Sequence, residues 1–404
     1  MKLLKRNYLY QIFGKTFPQG LSFISQILLA KFAGIETFGK YSIIVVYWMT
    51  SQSIIGEGIN TVFQKKHDEN LIFQASFYRL IVSVLIAFLL CPILVFLEMV
   101  SFKTFLVLCI GFISMHLIDI ELIFFRIINK DIFVTYQKSG QVLLLFLMIL
   151  LLQPSSLQQF SIYFSISWLV IFIISSINLI ALNRFKLIEQ LFVFFKYSNL
   201  KLIILIGISL FATLMYGNSD FIILDRVLGN SISSQYRLSA LIAGSPLMIT
   251  SGVFAIYLSK LAISAKNKKK YQFIVHIKNQ LLINIVVFIG FFLVSFILLP
   301  LINIVIPTFS LHSFRITRVL LISNFLNTTA MLFSYILLVL DKQKYNTFIT
   351  IILVPISFMS GFILVSILGE YGAVLNQIFI YLYLTFLMWR KAKSYLWRNK
   401  KCVE

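Results

Sequence analysis

Runs of about 20 residues with almost no charge follow one another along this chain, separated by short polar gaps. Residues 80–97 and 280–302 are typical, with Leu, Ile, Val and Phe in near-continuous series. A hydrocarbon core about 30 Å thick takes about 20 helical residues to cross. Inside it every backbone polar group must be bonded, which leaves the helix as the form for such segments. Mean hydropathy is +0.93 and only 12% of residues are charged. No water-soluble domain could cover that much apolar surface. The sequence specifies an all-α integral membrane protein.

Spacing of the runs predicts about 12 transmembrane helices, at roughly 10–30, 41–62, 79–97, 104–125, 139–152, 160–182, 202–224, 236–258, 280–302, 319–340, 346–368 and 372–389. The net charge of +21 follows alternate gaps between them. With Lys15 and Arg79 assigned to the same face, that side carries about 28 of the 35 Lys and Arg, and the other about 7. Both termini are therefore expected in the cytoplasm, with a multi-pass placement in the cell inner (cytoplasmic) membrane. The basic surplus reads as a topology signal facing anionic membrane lipid, and no nucleic acid partner is expected. Cys91 and Cys109 fall within spans and Cys402 in the tail, so no disulfide framework is legible. Lys15 and Pro18 interrupt the first apolar stretch and no small-residue cleavage site follows. A retained first helix is expected rather than a removed signal peptide.

A short pattern recurs near the half-length. Lys31, Gly34 and Tyr41 reappear as Arg226, Gly229 and Tyr236, each at the same offset of 195 residues. Each copy has an apolar run before it, a cation, a Gly three residues on and a Tyr seven beyond. Both copies sit at the outer end of the first helix of a six-span half. Because six is even, the halves have one orientation, a parallel repeat about a pseudo-twofold axis along the membrane normal. The expected organisation is an N-lobe at 1–182 (spans 1–6) and a basic amphipathic cytoplasmic linker at 183–201. A C-lobe at 202–389 (spans 7–12) and a basic cytoplasmic tail at 390–404 complete it.

Polar residues inside spans cost about 2.5–3.5 kcal/mol each when ionisable, so they tend to face a cavity or a partner. Span two carries Ser53, Glu57, Asn60 and Gln64 at helical spacing. They form either a hydrogen-bonding seam or a cavity wall, and Glu57 favours the cavity. Span four carries His116, Asp119 and Glu121, followed by Arg126 seven residues after Asp119. An internal ion pair and a cavity wall that holds an anionic group both fit. Span seven is interrupted by Asn218 and Asp220, with Asp225 and Arg226 at its outer end. Asp220 lies deep enough to be shielded from water, which suits proton exchange. Lys31 and Arg226, as repeat partners, read as one shared anion site rather than two snorkelling cations. Arg237 adds outer positive charge, and Arg315 and Arg318 read as headgroup anchors. The candidate substrate cations are Lys31, Arg126, Arg226 and Arg237. The candidate cavity and ion-coupling residues are Glu57, Asn60, Asp119, Glu121, Asn218, Asp220 and Asp225.

Pro18, Pro246 and Pro355 fall within spans and are plausible kinks. No Walker motif, metal-ligand spacing or serine-hydrolase signature occurs, so no cofactor, metal or catalytic residue is expected. The outer loops, such as 153–159 and 369–372, are short. That architecture favours moving a substrate over converting it, and the chain is not expected to be an enzyme.

The segment Ala30-Lys31-Phe32-Ala33-Gly34, continued by Phe38-Gly39 and Tyr41-Ser42, resembles the A-R-x-L-G-x-x-x-F-G-x-Y opening of polysaccharide flippases. These are the Wzx-type O-antigen translocases of the multidrug/oligosaccharidyl-lipid/polysaccharide (MOP) exporter superfamily. Asp220 to Leu224, Leu228-Gly229 and Tyr236 are similar to that family's seventh-span segment. Lys31 replaces the usual Arg, and Ser234 stands in the second copy where Gly39 stands in the first. The resemblance implies a MATE-like V of two six-helix lobes around a central cavity. It implies a substrate too: an oligosaccharide repeat unit on undecaprenyl pyrophosphate, flipped from the inner to the outer leaflet for O-antigen or other surface polysaccharide biosynthesis. Alternating access, coupled to an ion gradient through Glu57, Asp119, Glu121 or Asp220, would carry the headgroup across. Other polysaccharide-assembly membrane proteins are possible partners. The alternatives are a MATE-like small-molecule antiporter, a polysaccharide polymerase or ligase, and an assembly scaffold. The short outer loops argue against the enzyme.

Overall fold

The structure, a computed structural model, describes residues 2–66, 71–128, 130–181, 197–250, 261, 264, 270–340 and 342–398. Side chains are described from Thr16 onward, except at 65–66, 126, 131, 197–199, 270, 338, 343 and 395–398. Most of the linker expected at 183–201, the cations Lys260 and Lys266–Lys269, and the Arg126 and Lys65 side chains lie outside the described residues.

The described chain is built of helices: α1 (Lys2–Phe32), α2 (Ile35–Ser53), α3 (Gly56–Lys66), α4 (Ile72–Phe96), α5 (Phe102–Ile127), α6 (Asp131–Leu152) and α7 (Leu157–Ala181). There follow α8 (Tyr197–Gly217), α9 (Ser219–Leu228), α10 (Asn230–Ala243), α11 (Lys270–Val305), α12 (Leu311–Val339), α13 (Gln343–Leu368) and α14 (Glu370–Arg398). Among the described residues nine helices, α4–α8 and α11–α14, are long and apolar enough to cross a membrane. The other three expected segments correspond to α1, to α2 with α3, and to α10 with the helical residues 245–250. Large apolar side chains stand outward, Phe88 at 79% exposure, Phe96 at 85% and Ile367 at 72%. Only lipid solvates such a surface. Small polar residues turn inward, as where Ser165 Oγ donates to the Val107 carbonyl at 2.5 Å, the pattern that lets membrane helices approach closely.

Three of the expected spans are broken along their length, the eighth at Gly244 where α10 ends. The second is interrupted at Ile54–Ile55, between α2 and α3, so Ser53 ends one helix while Glu57, Asn60 and Gln64 belong to the next. The single polar stripe expected over Ser53–Gln64 is therefore two faces. The seventh is interrupted at Asn218, between α8 and α9. Such breaks release backbone groups, which must find partners in protein or in a cavity. Gly58 and Gly207 let the first break lie against α8. A Cβ on Gly207 would come 1.8 Å from the Ile54 carbonyl oxygen, and one on Gly58 2.4 Å from that of Ile203.

The chain divides into two compact units, Met1–Met215 and Tyr216–Glu404. In the first, α1 packs along α6 and α5 along α7. In the second, α9 packs on α13 and α12 along α14. Counted as spans, the first helix meets the fifth and the fourth meets the sixth in both units. The turn between the first two spans repeats as well. Gly34 holds φ 88° and ψ 154°, and Gly229 φ 88° and ψ 169°. That backbone region is essentially restricted to glycine, since a Cβ would clash there. The repeat read from three sequence positions is thus a repeat of backbone conformation and of helix packing.

Candidate functional site

The polar residues gather in two clusters, one in each unit. In the first unit the break at Ile54–Ile55 lets Gly56 pass beside α4. Arg79 enters there and is fully buried, at 0% exposure. Its Nη2 donates to Glu57 Oε1 at 2.9 Å and lies 2.7 Å from His116 Nδ1. Trp48 Nε1 donates to His116 Nε2 at 2.9 Å, with Trp48 stacked on Phe112 at 4.7 Å. Asp119 Oδ2 is 3.6 Å from His116 Nδ1, and Asn60 Nδ2 donates to Glu57 Oε2 at 3.2 Å. A neutral imidazole has one acceptor nitrogen. Trp48 and Arg79 therefore compete for His116, and only one of the two bonds forms in a given tautomer.

Glu57, His116 and Asp119 offer ligand atoms within 4.8 Å of one another. Sequence spacing hides this trio because Glu57 comes from a different helix. Arg79 supplies the positive charge among them, so the set reads as an internal ion-pair network before it reads as a metal centre. Gln52, at 1% exposure, and Arg79 Nε and Nη1 have no partner among the described residues. Glu121, two residues from Asp119, points elsewhere: it is buried and accepts from Ser176 Oγ at 3.0 Å. The two span-four carboxylates are therefore not one site.

In the second unit the break at Asn218 places Asp220 in the first turn of α9, where backbone N–H groups and the helix dipole favour a carboxylate. Asp220 is buried at 2% exposure. Tyr236 donates its hydroxyl to Asp220 Oδ2, and Gln377 Nε2 donates to the same oxygen at 2.6 Å. Ser323 Oγ donates to Gln377 Oε1 at 3.0 Å, fixing the amide's orientation. Arg237 stacks over the Phe221 ring at 5.2 Å and donates to Asn218 Oδ1 at 3.3 Å. Ser219 Oγ bonds the Ser357 hydroxyl at 2.6 Å, and Asn376 Nδ2 donates to the Ser357 carbonyl at 3.1 Å, which ties the break to α13 and α14. Asp225 accepts from Ser233 Oγ at 3.1 Å, bracing the turn at Gly229.

Lys31 and Arg226 are both exposed and stand in the last turns of α1 and α9, immediately before the twin glycines. A cation at a helix C-terminus is favoured by the helix dipole. Of the other cations expected to face substrate, Arg237 lies half-buried beside Asp220. The largest departure is Arg79. Read from the sequence as a cytoplasmic topology residue, it lies inside α4 at the centre of a buried cluster. A signal is present in the sequence, because apolar Leu71, Ile72, Phe73, Phe77 and Tyr78 precede Arg79, but the expected span begins only at residue 79. Trp48 and Gln377 carry no such signal, being ordinary interior residues of their spans, and Tyr236 stands out only as a position of the repeat.

No family model matches the chain, and no curated protein matches it in sequence. Solved structures do. An inward-facing multidrug resistance MATE family transporter of the MOP superfamily superposes with TM-score 0.74 at 10% identity, over 95% of this chain and 96% of that one. The chain has the MATE fold. An outward-facing MATE transporter matches with TM-score 0.72 at 13% identity, over 98% of this chain and 96% of that one. A MOP superfamily transporter from Pyrococcus furiosus, for which a binding pocket of reverse polarity is reported to suggest a different function, matches with TM-score 0.68 at 13% identity, over 95% and 96%. On this fold the chain carries the two clusters above, one built on Arg79 and the other on Asp220.

Proposed function

We propose that the protein translocates oligosaccharide units linked to undecaprenyl pyrophosphate from the inner to the outer leaflet of the cytoplasmic membrane. The sugar and pyrophosphate cannot cross hydrocarbon unaided, while the polyprenyl tail stays in lipid. The observation that carries this reading is the repeat-related pair Lys31 and Arg226. Each is exposed at the end of a helix before a glycine-only turn. Exposed cations of that kind suit phosphate groups better than a cationic drug. The MATE fold supports a transport role, because relatives of that fold are transporters in both inward-facing and outward-facing states. Asp220 and the Glu57–Asp119 pair are the coupling carboxylates in this reading, biasing alternating access by an ion gradient.

The test is flipping of a fluorescent lipid-linked oligosaccharide in proteoliposomes. A folded Lys31→Ala, Arg226→Ala double variant loses transport at least tenfold. Undiminished flipping would remove the pair from the substrate site. A second reading, a small-molecule antiporter, is favoured by the multidrug transporters that share the fold. Efflux of cationic dyes without flipping would establish it.

A further inference from the structure

The first unit contains a cavity of about 190 Å³ that the cation clusters leave out. Its polar lining is Ser22, Ser25, Gln26, Tyr41, Gln141 and Trp168, drawn from α1, α2, α6 and α7. We infer that this cavity is a subsite for a single uncharged sugar ring, an inference that rests on the oligosaccharide reading above.

The lining carries no Asp, Glu, Lys, Arg or His. A phosphate or a cationic drug placed there would lose its hydration without gaining a counter-charge. An uncharged ligand rich in hydroxyls meets no such cost, because Ser and Tyr hydroxyls both donate and accept and Gln offers both roles. The bonding capacity is also free. Tyr41 Oη has no partner among the described residues. The Trp168 indole N–H is buried without one. Gln141 gives Nε2 to Ser167 Oγ at 3.2 Å and keeps its carbonyl oxygen. The walls are aromatic: Phe160 meets Tyr41 edge-on at 4.7 Å and Phe164 at 5.9 Å. Such rings pack the C–H faces of a pyranose while polar tips reach its hydroxyls. The volume falls below the roughly 300–1,000 Å³ of sites for drug-sized ligands.

The internal repeat explains why the cavity exists. At the offset of 195 residues, Ser25 and Tyr41 correspond to Asp220 and Tyr236. In the second unit the carboxylate takes the Tyr hydroxyl. In the first, Ser25 is too short to do so and turns its Oγ to the Leu21 carbonyl at 2.8 Å. The tyrosine is left free beside an empty volume.

The test uses the purified full chain in nanodiscs, titrated with neutral methyl hexosides and followed by tryptophan fluorescence, with Trp168→Phe to assign the signal. At least one hexoside binds saturably. Tyr41→Phe weakens binding about tenfold, the worth of one hydrogen bond. Ser25→Asp, which installs the carboxylate of the second unit, abolishes it. Thermal unfolding checks that each variant is folded, and Tyr41→Phe decides the question if Ser25→Asp is not. If no hexoside binds while wild type and Tyr41→Phe flip lipid-linked oligosaccharide equally, the subsite is overturned and the flippase reading stands. Tighter binding of a cationic dye, sensitive to Tyr41→Phe, would overturn the sugar class. Hexoside binding without flipping keeps the subsite and removes the flippase reading.

Discussion

Arg79 occupies the space beside Gly56 that any side chain would claim: a Cβ on Gly56 would lie 1.3 Å from Arg79 Nη1. The break between α2 and α3 and the burial of a guanidinium in α4 are thus one feature. Gly56→Ala is expected to expel the guanidinium from Glu57. The cost should be roughly 3 kcal/mol, the low end for breaking a buried ion pair, since Glu57 keeps some exposure. Thermal unfolding in detergent measures it. In the Arg79→Met background the same glycine change should cost much less, because the two residues share one space.

The twin glycines give a paired prediction. Gly34→Ala and Gly229→Ala meet no neighbouring atom within 4 Å, so their cost is backbone strain alone, about 1–3 kcal/mol each. The two values should agree closely. Asn, which relieves left-handed helical positions, should not rescue either site, because ψ is 154° and 169° there.

Close approach and free space are separable by alanine. Gly207→Ala drives a methyl to within 1.8 Å of the Ile54 carbonyl oxygen. Backbone cannot swing aside as a side chain does, and a loss of about 1–3 kcal/mol or more is expected. Gly290→Ala meets nothing within 4 Å and sits inside α11. It should be neutral or stabilising by up to about 1 kcal/mol. Equal melting shifts for the two variants would contradict the packing of the α2–α3 break on α8.

Asp220 Oδ2 takes bonds from both Tyr236 and Gln377. Tyr236→Phe should cost about 1.5–3 kcal/mol, as expected for a hydrogen bond to a charged group. Asp220→Asn keeps an acceptor for both donors and should be milder than Asp220→Leu, which strands them. A double-mutant cycle on Tyr236 and Gln377 should be non-additive, since the donors share one oxygen.

Helix existence and most helix positions were legible because each depends on a run of near neighbours. The apolar segment at 280–302 is such a case, found inside α11. The breaks were partly legible. Asn218 and Asp220 stood out in an apolar run, whereas Ile54–Ile55 looks like any other apolar pair, and only the approach of Ile54 to Gly207 and of Gly58 to Ile203, both on α8, reveals why the chain can yield there. Arg79 was misread because charge counting treats a cation near a predicted span end as solvated, and the helix begins seven residues before it.

By itself the sequence determined the all-helical membrane class, the internal repeat and the glycines at its turns. Hydropathy and glycine's conformational freedom are properties of the local chain. The partners of the repeated tyrosines were decided only by tertiary structure. Tyr41 and Tyr236 occupy the same place in the repeat, yet one faces an open cavity among aromatic rings and the other bonds a buried carboxylate. That difference depends on what other helices bring alongside, Phe160 from α7 or Gln377 from α14. Burial and hydrogen bonding are properties of packed surfaces rather than of the chain that carries them.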